Sequence, residues 1–480
     1  MNKLRKLEHQ NKLLFSLVGL LTLLASLPFL IFGAATIKNL IIKATGTTAN
    51  ITVDTTAKLE PIEPVWNSYA QGGESSTDMI APVITQIKAL SPRYIRIDHV
   101  FDHFQVVDRN ADGTLRFSFS RLDEIINSII QTGALPFISL SYMPPVLAQG
   151  GNITAQPTDW NEWSLLVKRT IEHISGKNAL NLTNVYYEVW NEPDLFGNWK
   201  YYGNKNYLTL YEYAVRGANA AVNTNAYKIG GPAITKLYKN WITAFADYIS
   251  EKGLRLDFFS WHLYTANPQE YGKNVSLVTS WLFPYPTLVN LPRLITEWGF
   301  DSNINPGYDS LFSAAHTVAT VRNTLAGYEQ LFAFELVDGE DPAGKQLWGR
   351  WGLLTHPAQG MLKKPRYTAF LLLNQMTGTR LLVNGEGTWV TAFATYNNGN
   401  TKLILVNYDP VANHVEAVPV TFIHLTNGNY IFKKQSLRTG LSASPDQLIQ
   451  VVDTTYTTQL IMPANTITLL ELEPAASPVL

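Results

Sequence analysis

The chain has 480 residues, a formal net charge of −1, 46% apolar residues and no cysteine. That length exceeds one ordinary core and fits a barrel of about 250 residues or more with a smaller second domain. The missing cysteines exclude disulfides, thiolate nucleophiles and thiolate metal sites, and 37 basic against 38 acidic residues, with no basic run in the folded part, argue against a nucleic-acid partner.

In chain order, residues 1–12 are basic, with Lys3, Arg5, Lys6 and Lys12 against Glu8. No charged residue follows from Leu13 to Ile37. A cleaved signal has an apolar region of about 7–15 residues, whereas a bilayer core takes about 20. Residues 13–37 therefore read as an uncleaved transmembrane anchor, and the positive charge ahead of it puts the N-terminus in the cytoplasm and the rest outside. Gly33, Ala34 and Ala35 would serve a cleaved, secreted alternative. Residues 38–58 read as a linker or stalk in which "ITVD" (51–54) is a possible short strand.

Two kinds of segment then alternate. Short runs rich in β-branched and aromatic residues predict strands at 65–70, 94–98, 135–141, 185–190, 228–233, 257–264, 293–298 and 331–337. Apolar residues at i, i+3 and i+4 fill most of the gaps with helices, although 267–290 carries a weaker signal. Ser120, Thr158 and Asn206 stand where N-caps belong, and Gly133 where a helix closes. Eight strand–helix units between about 60 and 378 predict an α/β fold, a (β/α)8 TIM barrel over 59–380. An open doubly wound sheet is the alternative, but "SYAQGGESS" after the first strand lacks its glycine fingerprint. From 381 to 480 short strands separated by Asn/Gly/Pro turns predict an all-β sandwich.

In such a barrel the chemistry sits at the C-terminal ends of the strands. "YYEVWNEPDLFGNW" carries Asn191 and Glu192 past strand 4, and "LITEWGF" carries Glu297 at the end of strand 7. Two carboxyls on one rim are what glycosidic cleavage needs: one protonated to assist the leaving oxygen, one ionised to attack carbon or activate water. A lone glutamate at a strand end is usually a surface or ion-paired residue, so the weight rests on the joint pattern. No metal constellation stands out, since His99 and His103 in "HVFDH" lack the Glu of H-E-x-x-H. No cofactor motif is present, and the chemistry requires none.

These two stretches resemble clan A of the glycoside hydrolases. The run from "YIRIDHVFDHF" to "LPFISLSYMP", with "DFFSWHLY" and "KKPRYTAFLLLNQMTG", is similar to glycoside hydrolase family 39 over about 60–378. The resemblance implies retaining cleavage of an oligo- or polysaccharide, with Glu192 as acid/base and Glu297 as nucleophile. It implies that Asn191 holds the sugar 2-hydroxyl, that Arg96 keeps Glu297 anionic, that Tyr264 bonds Glu297 and that His262 contacts substrate. It also implies that "ITVD" adds a strand to the sandwich. The sequence departs from the family where Asp98 and His99 replace a histidine placed two after the arginine, and where Phe334 replaces a tryptophan of the xylosidases. Asp98, His99, Trp298 and Trp348 then become candidates for the subsite walls, with Tyr142 and Trp351 beside them. The expected substrate is an exported polysaccharide cut internally. A β-xylosidase-like exo-enzyme, a non-catalytic carbohydrate-binding barrel and a transglycosylase are the rivals, and oligomeric state is left open.

Overall fold

The structure is a computed structural model describing residues 46–475. Eight parallel strands close into a barrel in sequence order. Barrel strands 1 to 4 are Ser68–Gln71, Tyr94–Ile97, Leu135–Leu140 and Val185–Val189; strands 5 to 8 are Tyr227–Ile234, Phe259–Tyr264, Arg293–Gly299 and Gln330–Phe334. Strand 8 closes onto strand 1 with Phe332 opposite Ser68. A helix follows each strand, and the weak segment at 267–290 holds one, Gln269–Leu282.

The helix ends follow the expected caps at some positions and not at others. Asn206 accepts a hydrogen bond from the Leu208 amide at 2.9 Å, as an N-cap should. The cap of Trp160–Ile174 is Asp159, not Thr158, whose hydroxyl donates instead to the Leu147 carbonyl. Ser120 is the first helical residue and caps nothing with its side chain. The first helix is short, Ile84–Lys88, because Pro82 lies in a 3-10 turn ahead of it and offers no amide to an earlier turn.

The strand Ile51–Pro61 precedes the barrel and pairs antiparallel with Thr379–Asn384 and parallel with Glu416–Ile423. It runs past residue 58 and lies inside a ten-stranded, mostly antiparallel sheet. Period-2 burial explains why this sheet sits against the barrel. In "LILV" (403–406), Leu403 and Leu405 join the sheet's own core with Ile51, Val53 and Phe422. Ile404 and Val406 face the other way and join the barrel's core. No helix among the described residues is long and apolar enough to cross a membrane. The anchor expected over 13–37 lies outside the described residues.

Candidate active site

The barrel interior is layered from its floor upward. Alternation along strand 2 turns Tyr94, Arg96 and Asp98 inward while Ile95 and Ile97 face the helices. Strand 4 does the same with Tyr186 and Glu188. Tyr94, Phe137, Tyr186, Phe258, Leu294 and Phe332 make an apolar plug at the bottom. Above it Arg96, 1% exposed, is fully used: its Nε donates to Glu188 Oε2 at 2.8 Å, Nη1 to Glu297 Oε1 at 2.9 Å and Nη2 to Asn191 Oδ1 at 2.8 Å. A buried guanidinium is tolerated because each face of its fork meets an acceptor.

Strand 4 ends sharply above this layer. Trp190 and Glu192 take φ of 73° and 45°, a region few non-glycine residues occupy. The turn is held by Ser139 Oγ donating to the Trp190 carbonyl at 2.9 Å and the Glu192 amide donating to the Ala233 carbonyl at 3.0 Å. That turn swings Asn191 and Glu192 from the strand into a cleft of about 920 Å³, which Glu297 enters from strand 7. Tyr264 at the end of strand 6 donates to Glu297 Oε2 at 3.0 Å. His262 Nδ1 lies 2.8 Å from Glu192 Oε1 and 3.5 Å from Glu297 Oε2. One ligand atom from each of these three residues lies within 4.8 Å of the others.

Electrostatics follow from burial and these contacts. Burial pushes the Glu297 carboxyl above the usual carboxylate range, and His262 and Arg96 oppose that rise. Burial alone would depress His262, yet the charges of Glu297 and Glu192 carry it upward overall. Asn191 cannot rotate: its Oδ1 is taken by Arg96, while Nδ2 donates to the Tyr142 hydroxyl at 2.9 Å and to Asp98 Oδ2 at 3.2 Å. Asp98 fits only beside a glycine, since a Cβ on Gly72 would come within 1.9 Å of its Oδ1.

The structure brings most of the expected residues together. Glu192, Glu297, Asn191, Asp98, His99 and Tyr264 line the cleft. Arg96 and His262 lie beneath it, touching carboxylates rather than open space, so direct substrate contact by His262 is not what the geometry offers. Trp298 corrects the expectation outright. It follows Glu297 on a strand, so it points away from the barrel axis, is 0% exposed and packs on Tyr271, Phe370 and Arg366. Trp348 is not on the wall either: its ring stacks under Arg350, and the wall is built by Phe334 and Trp351, 5.6 Å apart. His99 bonds Asp102 at 2.7 Å through Nδ1 and stacks on His103.

Other lining residues, Glu74, Leu195, Phe196, Lys236 and Tyr238, come from loops after strands 1, 4 and 5, where no periodicity marks them. Glu188 was legible in principle, because a carboxylate inside the apolar run "VYYEV" demands a buried cation.

The family model described as glycosyl hydrolases family 39 matches residues 49–429. A protein of Caldicellulosiruptor saccharolyticus named beta-xylosidase is 27% identical over 419 residues, 80% of this chain and 82% of that one. Among solved structures, a monomeric beta-xylosidase from Caulobacter crescentus superposes with a TM-score of 0.76 at 20% identity, covering 89% of this chain and all of that one. A family 39 enzyme from Xanthomonas axonopodis pv. citri gives a TM-score of 0.75 at 19% identity, covering 89% of this chain and 98% of that one.

Proposed function

The chain belongs to glycosyl hydrolases family 39 and is a glycoside hydrolase with a carbohydrate substrate; on that premise we propose that it cleaves by double displacement with retention, using Glu297 and Glu192. The observation that carries this is spacing. The two carboxylates and His262 each place an atom within 4.8 Å of the others. Retaining enzymes hold their carboxyls about 5–5.5 Å apart, whereas inverting ones leave about 6.5–9.5 Å for a water.

In the first step a Glu297 oxygen forms a bond to the anomeric carbon as the bond to the leaving oxygen breaks. Glu192 gives its proton to that oxygen. A donor at His262 Nδ1 favours this transfer, because it bonds the carboxylate that Glu192 becomes. Arg96 and Tyr264 hold the attacking carboxylate ionised and oriented, one on each oxygen. In the second step Glu192 takes a proton from water, the water oxygen bonds to the anomeric carbon, and Glu297 departs as carboxylate. Asn191 is fixed by Arg96, Asp98 and Tyr142, and in this reading it bonds the sugar 2-hydroxyl, a contact that strengthens in the transition state.

The substrate we favour is a polysaccharide outside the cytoplasm, cut internally, with the apolar run 13–37 as membrane anchor. The relative named beta-xylosidase supports a second reading, removal of terminal xylose. Hydrolysis of an aryl glycoside followed by proton NMR tests retention: the first-formed sugar should keep the anomeric configuration of the substrate. Initial release of the opposite anomer would refute double displacement. Product sizes from xylan and other polysaccharides separate internal from terminal cleavage.

A further inference from the structure

The walls of the cleft differ at its two ends. At one end Phe334 and Trp351 are tied down, because Arg350 stacks on Trp351 and pairs with Glu74 across the mouth. At the other, the loops after strands 4 and 5 present three large apolar side chains to solvent. Leu195 is 56% exposed, Phe196 42% and Tyr238 40%. Exposed apolar side chains lining a polar cleft are a feature of ligand sites.

The wall is built rather than loose. The amides of Leu195 and Phe196 both donate to the Glu192 carbonyl, at 3.0 and 2.7 Å. Trp190 Nε1 donates to the Phe196 carbonyl at 3.3 Å, and the Trp199 amide to Pro193 at 2.9 Å. Asp194 accepts from the Thr235 amide at 3.0 Å and from its hydroxyl, locking this loop to the one that carries Tyr238. The backbone therefore holds Leu195 and Phe196 outward in one arrangement, which lowers the ordering cost of binding. Phe196 also sits edge-on to Tyr142, 5.7 Å away, so the shelf is continuous with the Asn191 side of the site.

We propose that Leu195, Phe196 and Tyr238 form the binding surface for the leaving-group sugars, the one or more pyranose units on the far side of the cleaved bond. This rests on the reading of Glu192 as acid/base and Glu297 as nucleophile. Glu192 gives its proton to the leaving oxygen, so the departing part of the substrate lies on its side, against the loop that continues from it. Pyranose rings carry flat patches of C–H bonds that pack on aromatic faces, while their hydroxyls remain in solvent. The same surface receives any sugar acceptor that competes with water.

The acceptor step provides the test. Full-length protein is trapped with 2-deoxy-2-fluoroglycosyl fluorides (xylosyl, glucosyl, galactosyl and mannosyl), and release is followed in buffer with or without xylobiose, cellobiose or phenyl β-glucoside. In release to an acceptor, the acceptor oxygen bonds to the anomeric carbon, the ester bond to Glu297 breaks, and the acceptor proton goes to Glu192. At least one acceptor should speed release about tenfold over water, and Phe196→Ala and Tyr238→Ala should each cut that ratio about fivefold, with Phe196→Tyr retaining it. The ratio cancels general damage to the variants. Labelling without acceleration by any acceptor, or a ratio unchanged in both alanine variants, overturns the shelf alone. Failure of every fluoride to label removes the nucleophile reading and the shelf with it.

Discussion

At the scale of single residues, the arrangement turns on one guanidinium. Arg96 spends its fork on Glu188, Glu297 and Asn191, so it fixes the proposed nucleophile and the amide beside the proposed acid at once. The consequence is a pH limb. Burial raises the Glu297 carboxyl, and it must be ionised to attack, so the rate falls as pH drops through a value above the usual carboxylate range. Arg96→Met removes a cation that lowers that carboxyl, so the acid limb of kcat/KM should move to higher pH, and kcat should fall about 100-fold at neutrality. A pH–rate profile of the variant checks both. The family resemblance paired Arg96 with Glu297, at the ends of strands 2 and 7. Glu188 stood out only as a carboxylate within an apolar run; that Arg96 is its partner did not, because that contact joins strands 2 and 4.

At the scale of elements, the long connection after strand 8 is held by a buried ammonium. Lys364, 1% exposed, lies 2.6 Å from Asp338 Oδ2 and 2.8 Å from Asp309 Oδ1, and donates to the Arg350 carbonyl at 2.9 Å. It thereby tethers the segment that carries Trp351 to the helix-forming stretch after strand 7. Lys364→Met leaves Asp338 buried without its counter-ion and should cost about 3–5 kcal/mol, read as a lowered midpoint in urea unfolding. KM should rise as the Trp351 wall loosens. Strand positions were legible here and side-chain phase less so. All eight strands lie where β-branched and aromatic runs stand, yet Trp298 was assigned to the cleft when its neighbour Glu297 already occupied the inward phase. Strand 7 is irregular there: its register shifts between Ile295 and Glu297, so Glu297 faces inward although Leu294, three residues earlier, does too, and Trp298 is turned outward.

At the scale of the whole molecule, a strand from before the barrel completes the sheet after it. Ile51 and Val53, both 0% exposed, sit between Thr379–Asn384 and Glu416–Ile423. A chain starting at residue 46 should therefore fold, whereas one starting at residue 62 loses the buried side chains of Ala49, Ile51 and Val53 and an interior strand, and should lose about 4 kcal/mol or more, checked by calorimetry. The β-rich texture after 381 showed as short strands between Asn/Gly/Pro turns, and the resemblance implied that "ITVD" joins them; which strands it pairs with was not visible, because pairing over more than 300 residues leaves no local trace. The central claim is that this closure sets Glu192 and Glu297 across one sugar as acid/base and nucleophile. It is tested most directly by peptide mapping of protein labelled with a 2-deoxy-2-fluoroglycosyl fluoride. The expected result is one sugar per chain on the peptide containing Glu297, absent in Glu297→Ala; stable labelling of another carboxylate would contradict it.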